Sequence, residues 1–195
     1  MGLGDAVYMW NFSTNEISKI LQNQEENFVS CIQWNESGDL LGIGSLNGRV
    51  DLVDIETKKT IHQIEDHIER VGAISMHQNM LLTGSRDNCI YLYDLRIPNN
   101  FVKLYPSHKQ EVCGIKWSPD GHYFASGGND NKLFLYSPKM DVPIMKKNHQ
   151  AAVKALAWCP HRSGILATGS GTADRCIRTW NVATDQLLDK VDTGS

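Results

Sequence analysis

Three histidines recur at one fixed offset: His67, His108 and His149 each lie nine residues before Met76, Trp117 and Trp158. An imidazole can act as general base, metal ligand or buried hydrogen-bond partner. The metal reading finds little support, since His62, His77, His122 and His161 have no Cys or Asp at ligand spacing. The five cysteines, Cys31, Cys89, Cys113, Cys159 and Cys176, form no C-x-x-C pair and are odd in number, as expected of small buried thiols in a reducing compartment. The run GSGTAD (169–174) resembles half a dinucleotide loop, but it lacks the third glycine and no helix is expected after it. No serine has a matching histidine and acid. What remains for the three histidines is a structural role. An imidazole held between an aspartate and a hydroxyl makes a satisfied polar chain, and such a chain holds only if every member is paired.

The elements that would position them form a repeat. VSCIQW (29–34), VGAISM (71–76), VCGIKW (112–117) and VKALAW (153–158) end at 34, 76, 117 and 158, spacings of 42, 41 and 41. A second series runs alongside: VYMWN (7–11), VDLVD (50–54), IYLYD (90–94), LFLYS (133–137) and IRTWN (177–181). Each unit reads as four short strands broken by turn signals such as Ser118-Pro119-Asp120-Gly121 and Asn129-Asp130-Asn131. No stretch keeps helical apolar spacing. A period of about 40–45 residues with four strands and a His-to-Trp-Asp signature is that of a WD-repeat propeller blade. The sequence therefore predicts an all-β, incomplete WD-repeat β-propeller. It has a half blade at 1–23 and blades at about 24–65, 66–105, 107–147 and 148–192, with a raw edge at each end.

The predicted polar chains are His67, Thr83, Asp87 and Tyr93; His108, Ser126, Asp130 and Tyr136; and His149, Thr168, Asp174 and Trp180. The first complete blade has Glu25, Ile43, Asn47 and Val53 at these offsets and is expected to rely mainly on packing.

Composition narrows the function. The 195 residues are 41% hydrophobic with a formal charge of -3, and the longest basic clusters are pairs, Lys58-Lys59 and Lys146-Lys147. Nucleic acid is thus not an expected partner. Nor is a membrane, since no apolar run approaches the ~18 residues of a spanning helix. MGLGDAVYMW has no basic leader, and Ala6 breaks the myristoylation pattern, so cytosol or nucleus is the expected compartment. Asn11-Phe12-Ser13 and Asn35-Glu36-Ser37 read as chance sequons, and Ser118-Pro119 and Ser137-Pro138 as turn residues that also meet a minimal proline-directed phosphosite.

In a propeller, the loop before each first strand and the hairpin between second and third strands share one face. Here that face collects Glu69-Arg70, Gln110-Glu111, Gln150-Ala151, Arg86, Asn129, Asn131, Thr172 and Arg175, a set suited to a short polar peptide. The segments GSRDNCI, HKQEVCGIKWSPDG, SGGNDNKL, HQAAVKALAWCPH and GTADRCIRTWN resemble the fizzy and fizzy-related family, nearly end to end. These are WD-repeat co-activators of the anaphase-promoting complex, a ubiquitin ligase. GLGDAVYMW and the closing DTGS lean toward the fizzy-related branch, and AWCP toward the mitotic one.

The resemblance implies a seven-bladed ring that is not itself an enzyme, needs no cofactor and works in nucleus and cytoplasm. Its implied partners are subunits of the anaphase-promoting complex, degron-bearing substrates and pseudosubstrate inhibitors. It places a KEN-type degron on Asn129, Asn131 and Thr172, with Arg70, Gln110 and Gln150 from neighbouring loops. It further implies that this chain is a piece lacking the complete D-box site, the C-box segment and the Ile-Arg tail. A generic WD-repeat interaction scaffold is the alternative.

Overall fold

In a computed structural model, residues 2–97, 101–106 and 108–194 are described, and they form strands and turns with no helix. The first sheet holds β1 (Gly2–Leu3), β2 (Ala6–Asn11) and β3 (Glu16–Gln22). The second holds β4 (Val29–Trp34), β5 (Leu40–Ser45), β6 (Val50–Asp54) and β7 (Lys59–Ile64). The third holds β8 (Val71–His77), β9 (Met80–Ser85), β10 (Ile90–Asp94) and β11 (Phe101–Tyr105). The fourth holds β12 (Val112–Trp117), β13 (Phe124–Gly128), β14 (Lys132–Tyr136) and β15 (Met145–Asn148). The fifth holds β16 (Val153–Trp158), β17 (Ile165–Ser170), β18 (Cys176–Asn181) and β19 (Gln186–Asp192). Every pairing is antiparallel and joins neighbours in sequence. The short strand β1 is an addition to the sequence expectation, which began the first sheet at VYMWN.

Burial explains the alternation of strand chemistry. In the second, third and fourth sheets the second and third strands are nearly all buried, whereas β19 of the fifth is exposed along its whole length. Neighbouring sheets meet where the first strand of one packs on the first and second strands of the sheet before it: β8 on β4 and β5, β12 on β8 and β9, β16 on β12 and β13. Glycine makes this approach possible. A Cβ on Gly84 would sit 2.6 Å from Val112 and Ile115, and one on Gly127 would sit 2.2 Å from the Val153 carbonyl oxygen.

Each complete sheet carries the same irregularity. Pairing of first with second strand skips one residue: Ser30, Gly72, Cys113 and Lys154. Such bulges re-aim a side chain out of the ladder. The hairpins between second and third strands also repeat. Their left-handed residue is Gly48, Asn88, Asn131 or Arg175, with φ of 92°, 72°, 62° and 52°.

Ser118 is 2% exposed; its hydroxyl donates to Asp120 at 2.6 Å, lies 2.9 Å from the Tyr123 carbonyl and accepts from the Tyr123 amide. The turn reading of Ser118-Pro119 explains this residue.

Candidate peptide-binding face and the networks beneath it

In the third sheet, the His67 Nδ1 lies 2.8 Å from the Asp87 carboxylate and Nε2 lies 2.8 Å from the Thr83 hydroxyl. In the fourth, His108 makes the same two contacts with Asp130 at 3.0 Å and Ser126 at 2.9 Å. Each aspartate also receives the amide after its histidine, from Ile68 or Lys109. Burial by itself would raise the Asp130 carboxyl, but the Lys109 amide and His108 hold it below its usual value. Burial likewise lowers the His108 imidazole against the pull of Asp130, favouring the neutral ring. For His108, a neutral imidazole between carboxylate and hydroxyl is therefore the favoured arrangement.

The tyrosines meet the expectation in part. The Tyr93 hydroxyl donates to Asp66 at 3.1 Å, an acid just before the histidine, with Thr83 also within its reach. Tyr136 packs in an aromatic cluster with Phe124, Tyr105 and Phe134. Ser126 sits opposite Phe134, and Tyr136 sits two residue pairs further along, opposite Phe124.

The fifth sheet needs a larger correction. His149 Nε2 reaches the Thr168 hydroxyl at 3.0 Å, and the Trp180 indole donates to the same oxygen at 3.0 Å. The expected His149–Asp174 pair does not form. Asp174 is taken in a two-pronged grip by Arg178, which is 7% exposed, and by the Ser170 hydroxyl. The His149 Nδ1 is left buried with no hydrogen-bond partner among the described residues. The pull of Arg178 holds the Asp174 carboxyl well below the usual range, whereas burial and then Arg178 push the His149 imidazole down to about 4.

The second sheet adds an ion pair to the packing on which it was expected mainly to rely. Ile43 and Val53 are fully buried, but so is Asp51, which accepts from Arg49 at 2.8 Å and Gln63 at 3.1 Å. Arg49 in turn donates to Asn23, which donates to Ser45. Asp51 faces Ile43 across the ladder as Arg178 faces Thr168, so this sheet carries an ion pair where the others carry the histidine chain.

Above these networks an axial cavity of about 700 Å³ opens between the sheets. The four bulge residues line it, joined by Arg70, Glu111 and Asn129 at its mouth. Glu111 is 8% exposed and receives Arg70 Nε at 2.7 Å and Arg70 Nη2 at 2.8 Å. The Asn129 amide donates to the same carboxylate at 3.3 Å. Donating to Glu111 holds the Arg70 guanidinium firmly protonated while nearly half its side chain stays exposed. Burial, then the Glu111 charge, pushes the Cys113 thiol up to about 11, so it is a poor nucleophile.

A family model for the CDC20/Fizzy WD40 domain matches residues 1–195. The chain belongs to the CDC20/Fizzy WD40 family. The B-type cell cycle switch protein ccs52A of Medicago truncatula is 44% identical over 196 residues, covering 100% of this chain and 41% of that protein. The anaphase-promoting complex subunit cdc20 of Dictyostelium discoideum is 41% identical over 198 residues, covering 99% of this chain and 40% of that protein. A chain in the crystal structure of the mitotic checkpoint complex superimposes with a TM-score of 0.97 at 39% identity, covering 100% of this chain and 62% of that one. The chain thus spans about two-fifths of the length of these curated relatives.

Within this CDC20/Fizzy propeller, the predicted face residues divide. Arg70 and Asn129 line the cavity mouth. Gln110, Gln150 and Thr172 are exposed on the surrounding loops. Asn131 holds the left-handed turn position, and its carbonyl accepts the His149 amide at 2.8 Å. Glu111, expected on this face, proves to be the buried acceptor that Arg70 and Asn129 share. The bulge residues Ser30 and Lys154 are additions to the predicted set, because the bulges leave no mark in the period.

Proposed function

We propose that this propeller is the degron-reading part of a co-activator of the anaphase-promoting complex. It recruits substrates for ubiquitylation and carries out no covalent step itself. The observation that carries the reading is the channel mouth, where Arg70 and Asn129 converge on buried Glu111 in a CDC20/Fizzy scaffold. A Lys-Glu-Asn peptide offers complementary chemistry. Its carboxylate suits Arg70, its ammonium suits Glu111, and its carboxamide can exchange donor and acceptor bonds with Asn129. Asn131, Thr172, Gln110 and Gln150 supply further amides and a hydroxyl around the rim.

Bonds of this kind contribute about 0.5–1.5 kcal/mol each, rather more when charged. Single-peptide affinity is therefore weak. Specificity comes from several contacts on a preformed surface, and attachment of the substrate to the ligase raises the effective concentration. Pseudosubstrate inhibitors would compete for the same mouth. The name of the Dictyostelium relative and the checkpoint assembly containing the structural neighbour support this reading.

Fluorescence anisotropy with a labelled KEN peptide tests it. Asn129→Ala and Arg70→Ala are each expected to weaken binding about tenfold, which corresponds to about 1.4 kcal/mol. Binding indifferent to both changes would leave a generic WD-repeat scaffold as the better account.

A further inference from the structure

At the end of the sheets away from the channel mouth, the connection from first to second strand is not uniform. Trp34 pairs with Leu41, Trp117 with Phe124 and Trp158 with Leu166, whereas in the third sheet Met76 pairs with Leu81. The third sheet thus has the shortest of these connections. Beside it, between the third and fourth sheets, lies a cavity of about 440 Å³. His77, Gln78 and Met80 of the third sheet and Trp117, Tyr123 and Pro138 of the fourth line it. Both sheets have all four strands, and each packs on a further sheet on its other side.

Trp117 and Trp158 hold equivalent positions, but their indoles fare differently. Trp158 donates to the Lys116 carbonyl of the neighbouring sheet at 3.1 Å. The Trp117 N–H is buried with no hydrogen-bond partner among the described residues. Its ring stands in the cavity wall, 6.0 Å from His77 between ring centres. A buried donor without an acceptor is costly, and a buried tryptophan N–H usually finds one. Asp120, in the same wall, is already taken: it accepts from Ser118 at 2.6 Å, from Ser163 at 2.8 Å and from the His122 amide at 3.1 Å. Burial alone would raise its carboxyl, but the Ser118 hydroxyl and the other donors hold it down at about 2. A standing negative charge there disfavours a second carboxylate deep in the cavity, so the acceptor that suits Trp117 is a neutral one. At the rim, Lys139 is exposed and makes no ion pair among the described residues.

We propose that this cavity is a docking pocket for a tyrosine of an acidic partner peptide. The phenol ring packs on Met80, Tyr123 and Pro138, and its oxygen accepts from the Trp117 N–H. A carboxylate next to that tyrosine pairs with Lys139. A phenol is neutral at physiological pH, as the neighbouring Asp120 requires. The pocket lies at the opposite end of the sheets from Arg70 and Asn129, so a peptide at the channel mouth leaves it free.

The probe is the peptide acetyl-Glu-Tyr-Glu-amide, titrated into the isotope-labelled full chain while the indole N–H resonances are followed by NMR. Trp117→Phe identifies the Trp117 signal. A saturable downfield shift of that resonance is expected. Lys139→Glu should weaken binding about tenfold in protein whose melting matches the parent. A probe with phenylalanine in place of tyrosine should leave the Trp117 resonance unmoved. Absence of saturable binding, a Trp117 resonance that stays still, or binding that Lys139→Glu does not weaken would each overturn the proposal. Loss of binding in Asn129→Ala would assign the peptide to the channel mouth and overturn it as well.

Discussion

The fourth and fifth sheets carry the same four kinds of residue at matching positions, yet they are wired differently. In the fourth, Asp130 and Ser126 clasp His108 from both sides. In the fifth, Arg178 captures Asp174, and His149 keeps only Thr168. The residue facing the hydroxyl decides the outcome. It is Phe134 in one sheet and Arg178 in the other. A ring packs edge-on against His108 and leaves the aspartate alone, whereas a guanidinium beside a carboxylate outcompetes a neutral imidazole for it.

The largest test of this contrast is Asp174→Ala. It strands the buried Arg178 charge and is expected to cost about 3–5 kcal/mol in chemical denaturation. A loss no greater than that of Asp130→Ala would show that the Arg178 grip is unimportant. Next comes acid. The folded-state pKa of His149 is about 4 against 6.5 for a free imidazole, so the fold favours its neutral form. That stability is complete above pH 6.5 and is lost as pH falls toward 4. The loss should be about 2–3 kcal/mol. His149→Gln should flatten this segment of the stability–pH curve, and an unchanged slope would remove His149 as its source.

Asp130→Ala should cost about 1–3 kcal/mol, since His108 Nδ1 and the Lys109 amide both lose an acceptor. An unchanged melting temperature would contradict the clasp. The smallest effect sits in the hairpins. Arg175→Gly should stabilise by about 0.5–1 kcal/mol by relieving a left-handed arginine. Asn131→Gly should change stability by less than about 0.5 kcal/mol, because asparagine tolerates that region. Equal gains at both sites would show that side-chain identity there is irrelevant.

Strand order and sheet count were legible because a period near 41 residues survives any local irregularity. The histidine contacts were legible in the third and fourth sheets because turn chemistry fixes Asp87 and Asp130 next to their histidines. Arg178 and Asp51 were not, because each lies outside the repeat signature and its effect depends on which residue it faces across the ladder. Tyr93 reaches Thr83 as read, and its bond to Asp66 was not legible because that acid also lies outside the repeat signature. Of the channel mouth, Arg70 and Asn129 were readable from loop position. Glu111 was readable as a member of the same face, but its burial and its tie to both came only with packing.

The glycines that let neighbouring sheets touch also set the curvature of the molecule. With Gly44, Gly84 and Gly127 lacking side chains, the first and second strands of adjacent sheets close to contact, and the sheets meet chiefly along these inner strands, so each junction acts as a wedge. The wedge angle determines how many sheets complete a circle. The size of the ring, and hence the width of its axial opening, is encoded in side-chain volume withheld at one position per repeat.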